Sequence, residues 1–110
     1  ILGAKIDAQV GPVIMVGLGG VLTEIIEEMS IRVAPILRHD AYDMLMDVKG
    51  IYHFVEKIDV DAVISCLMGL SNLVSELGDE ISVVEINPLL VFGPGEGATA
   101  VDALIIPNTI

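Results

Sequence analysis

The chain has 110 residues, and 16 Asp plus Glu against 5 Lys plus Arg set its formal net charge at -11. Hydrophobic residues make up 54% and aromatics 4%, with a mean hydropathy of +0.78, so a core of Val, Ile, Leu, Met and Ala is available and intrinsic disorder is excluded. The scattered bases Lys5, Arg32, Arg38, Lys49 and Lys57 offer no cationic stripe to nucleic acid, and the longest uncharged stretch, Ala8 to Thr23, holds a Pro and four Gly, which argues against a membrane helix.

In chain order, Ile1 to Ile6 and Val13 to Leu18 are short aliphatic runs separated by Asp7-Ala8-Gln9-Val10-Gly11-Pro12, which predicts a hairpin. Val13 to Val16 is apolar at every position, as in a central strand covered on both sides. After Gly17-Leu18-Gly19-Gly20, Val21 to Glu28 has a helical period, and Ile31 to Val33 predicts a short strand. A second helix places Ala41, Met44, Leu45 and Val48 on one face and Asp40, Asp43 and Asp47 on another, with Gly50 at its end. Ile51 to Lys57 has no clean period. The third helix carries the stripe Val63, Leu67, Leu70, Val74 and Leu77, started by Asp59 and Asp61 and stopped by Gly78. Ile81 to Val91 and Ala98 to Ile106 predict a final hairpin closed by Phe92-Gly93-Pro94-Gly95-Glu96-Gly97.

The period of two puts Glu85 and Asn87 on one face of Ile81 to Val91. If that hairpin pairs with partner numbers summing to about 189, Asn87 stands opposite Asp102. An amide oxygen and a carboxylate at cross-strand spacing can share a hard cation such as Mg²⁺, whose shell is then completed by phosphates and water. Pro88 gives up a ladder N–H beside them, implying an edge or bulge. The alternative is an ordinary solvated strand face.

Gly17, Gly19 and Gly20 offer free N–H groups before a helix, where an anion is favoured; a tight or closely packed strand-to-helix turn is the other reading. Leu22 stands where a dinucleotide fingerprint would have its third glycine. Glu24 is either a partner of the helix dipole or oriented to that loop. The acidic stripe reads as a solvated face and Asp59-Val60-Asp61 as capping. His39 and His53 read as surface residues and Cys66 as a buried, unreactive thiol. A single cysteine fits a reducing compartment, and the cytoplasm is the expected location. Residues 1–110 read as one domain. The first residue is Ile1 and the apolar share is high for this size, so the chain is expected to be a piece of a longer one.

The order Gly11-Pro12-Val13-Ile14-Met15-Val16-Gly17-Leu18-Gly19-Gly20, Glu24, Arg32-Val33-Ala34-Pro35, Glu85-Ile86-Asn87-Pro88-Leu89-Leu90-Val91 and Asp102 resembles the ATP-grasp domain of NDP-forming acyl-CoA synthetases. The resemblance runs from about Leu2 to Ile105. It implies an α+β fold, the C-terminal ATP-grasp subdomain, with a mixed, largely antiparallel sheet and packed helices. It implies that Asn87 and Asp102 bind the Mg²⁺ bridging the phosphates of ATP or ADP, that Glu85 is a catalytic acidic position facing a phosphorylated histidine, and that Gly17, Gly19 and Gly20 lie near phosphoryl transfer. Neither His39 nor His53 matches that histidine. CoA binding, the rest of the ATP-grasp unit and selection of a small carboxylic acid are implied for other domains or subunits of an oligomer. The chain departs from the family between its long helices, where a Gly-Arg-Gly-containing connection is usual and Gly50 to Asp61 has none. Two other readings stand beside an acid–thiol ligase: a non-catalytic regulatory or subunit-assembly module on the same fold, and an ATP-grasp ligase joining an acid to an amine.

Overall fold

A computed structural model describes residues 1–19 and 29–108. Among these residues seven strands and two α-helices follow in the order β1 (Leu2–Asp7), β2 (Gly11–Val16), β3 (Ser30–Val33), α1 (Arg38–Met46), α2 (Val60–Leu77), β4 (Ile81–Ile86), β5 (Leu89–Val91), β6 (Ala98–Ala100) and β7 (Ala103–Pro107). Strands β3-β2-β1-β4-β7 form one sheet, β5 and β6 a second, and every described pairing is antiparallel. This is the expected α+β class. The expected helix from Val21 to Glu28 lies outside the described residues.

The first hairpin forms because Asp7 supplies its own turn. Its Oδ1 accepts the N–H groups of Gln9 at 2.8 Å and Val10 at 3.2 Å, while Gly11 takes a positive φ of 84° at the start of β2. β1, not β2, is the middle strand, flanked by β2 and β4. Leu2, Ala4, Ile14, Val16 and Val84 point from these strands toward the helices and are buried.

Asp40 accepts the Leu37 N–H at 2.8 Å and so opens α1, which buries Ala41, Met44 and Leu45 and is followed by buried Val48. The helix stops at Met46, and Gly50, with φ 87°, serves a later 3₁₀ turn at Ile51–His53 rather than the helix cap itself. Asp47 pairs with Arg32 of β3, so the acidic stripe is not wholly solvated. In α2 the stripe Val63, Ile64, Leu67, Leu70, Ser71 and Val74 is buried, while Leu77, expected with it, is exposed. The helix is long and apolar enough to cross a membrane by length and composition alone, and here that stripe packs into the core.

The helices cover one face of the large sheet. Its other face runs across Ile31, Met15, Gly3, Glu85 and Leu104 in one register row, and Val33, Val13, Lys5, Val83 and Ile106 in the next. Ile31, Val33, Leu104 and Ile106 are exposed there, so the sheet has an open apolar face. At the β7 edge, Ile105 on the opposite side is 58% exposed as well.

Candidate functional site

The last two expected strands each break in two, and the break is where the candidate site sits. Glu85 pairs with Leu104 and Ile86 with Ala103 in the large sheet, then Leu89 pairs with Ala100 and Val91 with Ala98 in the small one, so the expected register holds through both. Between them the Asn87 N–H donates to the Asp102 carbonyl at 3.1 Å, and the Val101 N–H to the Pro88 carbonyl at 3.0 Å. Pro88 has no N–H to return, which explains why the ladder loosens here.

Glu85, Asn87, Asp102, Ala103 and Leu104 line a recess of about 300 Å³ on the open face. Asn87 and Asp102 are exposed, and Glu85 is half-buried. Asp102 Oδ1 accepts the Ala103 N–H at 2.8 Å, which holds the carboxylate near its own backbone. The lining contains two carboxylates, one amide and no base. It therefore suits a small hard cation and, without one, would repel phosphate. Among the described residues no three His, Cys, Asp or Glu side chains gather as a metal cluster, so a cation here would rely on a ligand to complete its shell. Lys5 shares the open face, one row away from the Gly3–Glu85 pair, a placement legible only once β1 is known to pair with β4.

The glycine segment leaves the same end of the sheet. Leu2 pairs with Val16 and with Ile86, and at the next position Gly17 and Ile1 exchange backbone hydrogen bonds of 2.8 and 2.9 Å beside Asn87. Two strand spacings separate Gly17 from Asn87, about 10 Å, within the length of a nucleoside triphosphate. A Cβ on Gly17 would meet Met29 Cγ at 3.0 Å, whereas one on Gly19 would meet nothing within 4 Å among the described residues. Neither has a positive φ, so close packing explains Gly17, and among the described residues nothing steric explains Gly19. Gly20 and Glu24 lie outside the described residues.

His39 and His53 are exposed, as expected. Cys66 is half-buried rather than buried, and desolvation pushes its thiol pKa up, which keeps it a poor nucleophile. Asp59 does more than cap α2. Besides accepting the Ala62 N–H at 3.1 Å, its other oxygen takes the N–H of Gly97, 38 residues away, at 2.8 Å. No local sequence signal marks that second contact.

The profile of the ATP-grasp domain matches residues 1–106. The chain belongs to the ATP-grasp family. This ATP-grasp chain is 38% identical, over 96% of its length, to the β subunit of the ADP-forming acetate–CoA ligase II of Pyrococcus furiosus, of which it covers 47%. It is 32% identical over 96% of its length to the ADP-forming 4-hydroxybutyrate–CoA ligase of Nitrosopumilus maritimus, covering 16% of that protein. The ATP-grasp fold is also that of PH1788 from Pyrococcus horikoshii, with TM-score 0.92, 37% identity, and coverage of 99% of this chain and 48% of the other. Acetyl-CoA synthetase 1 of Candidatus Korarchaeum cryptofilum, solved with coenzyme A and Mg-AMPPCP, superposes with TM-score 0.87 and 33% identity, covering 97% of this chain and 51% of that one. The chain thus spans about half the length of these relatives or less.

Proposed function

We propose that the whole protein is an acid–thiol ligase, converting a carboxylic acid, CoA and ATP reversibly to acyl-CoA, ADP and phosphate, and that this chain is its C-terminal ATP-grasp subdomain. The observation that carries the reading is the Asn87–Asp102 pair, which presents an amide oxygen and a carboxylate on the open face beside Glu85. The ADP-forming CoA ligases among the relatives support the choice of reaction class.

Asn87 and Asp102 would hold Mg²⁺ through one oxygen each, a donor set that leaves room for phosphate oxygens and water. When bound, the ion supplies positive charge against the phosphates as the terminal phosphoryl group transfers. The residues themselves do three things. The backbone between Asn87 and Asp102 fixes their spacing. The half-buried Glu85 carboxylate presents an acceptor and a negative charge toward an incoming cationic or protonated group, in this reading the histidine of another segment. The exposed main chain at Gly19 carries no side chain to meet an approaching phosphate, and Gly17, packed against Met29, holds the segment in place. The acyl phosphate and the phosphohistidine form on groups outside this chain, as does CoA binding. Basic residues that offset the site's negative charge are assigned to the other half of the ATP-grasp unit, the CoA-binding domain or a partner subunit. The assembly is read as an oligomer in a reducing cytoplasm, in keeping with the single Cys66.

The test needs no knowledge of the acid. Full-length protein, with any partner subunit, is incubated with γ-labelled ATP and Mg²⁺ and examined for acid-labile, base-stable phosphoprotein. Label present in wild type and lost in Asp102→Ala is the expected result. Absence of label in folded wild type would favour the regulatory module or an acid–amine ligase.

A further inference from the structure

The β5–β6 hairpin is the outer part of the ladder on which Asn87 and Asp102 stand, and it is joined to the large sheet at a weak point. Asn87, Pro88, Val101 and Asp102 are all exposed, so packing does not hold the break, and Pro88 lacks a donor there. Leu89 and Val91 of β5 rest against the core, so the hairpin can tilt about the break only within that packing, and the candidate ligands lie at the joint.

Asp59 ties down the far end. Its main-chain N–H donates to the Phe92 carbonyl at 2.9 Å, and its Oδ2 accepts the Gly97 N–H at 2.8 Å. Phe92 and Gly97 close the hairpin loop through the Phe92 N–H to Gly97 carbonyl bond of 3.0 Å. The other carboxylate oxygen accepts the Ala62 N–H and caps α2, whose buried stripe is anchored in the core. One half-buried residue therefore joins the fixed helix to both ends of the loop, through its main chain at Phe92 and its side chain at Gly97. From that clamp the ladder runs inward through Val91–Ala98 and Leu89–Ala100 to the Asn87–Asp102 hydrogen bond.

We infer that Asp59 is a positioning residue for the cation site: by clamping the hairpin tip to α2 it sets the tilt of the ladder on which Asn87 and Asp102 stand, and so the direction in which the hydrogen-bonded pair presents its side chains. The inference rests on the reading of that pair as Mg²⁺ ligands. Asp59→Ser separates the two jobs of the residue, since a serine hydroxyl still caps α2 but is too short to reach Gly97 as well.

Full-length wild type, Asp59→Ser, Asp59→Asn and Asp102→Ala are titrated with Mn²⁺ in the presence of a non-hydrolysable ATP analogue, reading free Mn²⁺ by EPR, with amide exchange followed in parallel. The expected result is that Asp59→Ser weakens Mn²⁺ binding about tenfold, as loss of a ligand-orienting group does. Exchange at Asn87 and Val101 accelerates while α2 stays protected. Asp59→Asn, which keeps the reach but only one acceptor oxygen, falls between Asp59→Ser and wild type, and it replaces Asp59→Ser as the deciding variant if that protein does not fold. Wild-type Mn²⁺ affinity in the deciding variant, with binding lost in Asp102→Ala, overturns the clamp and leaves the cation site standing. Unchanged affinity in Asp102→Ala overturns the cation site and the clamp's purpose with it.

Discussion

The main-chain N–H of Asn87 donates to the carbonyl of Asp102 at 3.1 Å, so the spacing of these two side chains is a property of the backbone rather than of their own contacts. Both are exposed, and truncating either removes no core packing. Asn87→Ala and Asp102→Ala in the full-length protein are expected to keep the wild-type unfolding midpoint and to weaken Mg²⁺-dependent nucleotide binding by about tenfold or more. Calorimetric titration at limiting Mg²⁺ checks this, and wild-type affinity in both variants would reject the assignment.

Ser71 is fully buried in α2 and its hydroxyl accepts the Ile36 N–H at 2.9 Å, joining the helix to the segment before α1. Ser71→Ala leaves that N–H without a partner and is expected to cost about 1–3 kcal/mol. Ser71→Cys, with a weaker acceptor in a similar volume, should not restore the loss. Urea unfolding of the three proteins gives the comparison.

Leu67 has no exposed surface and lies midway along the α2 stripe against the sheet. Leu67→Ala should destabilise by about 2–5 kcal/mol through lost burial and the remaining cavity. Leu77→Ala, at an exposed position of the same helical period, should cost much less. Equal losses would contradict the packing of α2 described above.

The Asp7 carboxyl is held below its ordinary pKa, chiefly by the Gln9 N–H, then by the Val10 N–H, with some help from Lys5. A depressed folded-state pKa means that the turn's contribution is complete above the ordinary carboxylate range and is lost as pH falls through the folded value. The gap in unfolding midpoint between wild type and Asp7→Ala should therefore be constant near neutrality and shrink below about pH 4. A gap that widens in acid would reverse the sign of the argument.

The register of the final hairpin was legible because alternation in Ile81 to Ile86 and the Gly-Pro-Gly loop constrain pairing from both ends. That is why Asn87 and Asp102 could be placed together from residues alone. The division of each strand was not legible in the same way: Pro88 announces a missing donor, but only the observed pairing separates the two sheets. Asp59 illustrates a different limit. Its cap is a local pattern, whereas its bond to Gly97 spans 38 residues and depends on where the loop lands. Val13 to Val16 stands in contrast. Uniform apolarity suggests a strand buried on both sides, and β2, inside the sheet beside the middle strand, buries Val13 even on the face away from the helices, while Met15 on that face is half-buried. The glycine segment was half resolved: Gly17 packs against Met29, and Gly20 lies outside the described residues.

β7 has a practical consequence for the bench. Leu104, Ile105 and Ile106 are exposed on both sides of a strand that pairs only with β4 among the described residues. An apolar strand with unpaired backbone groups is a template for other chains. Prepared without the rest of its protein, the domain should associate as its concentration rises, and its apparent melting temperature should then vary with dilution. Thermodynamic comparisons of core variants are therefore cleaner in the complete protein, or in a version carrying a lysine at position 105 to discourage stacking of edges.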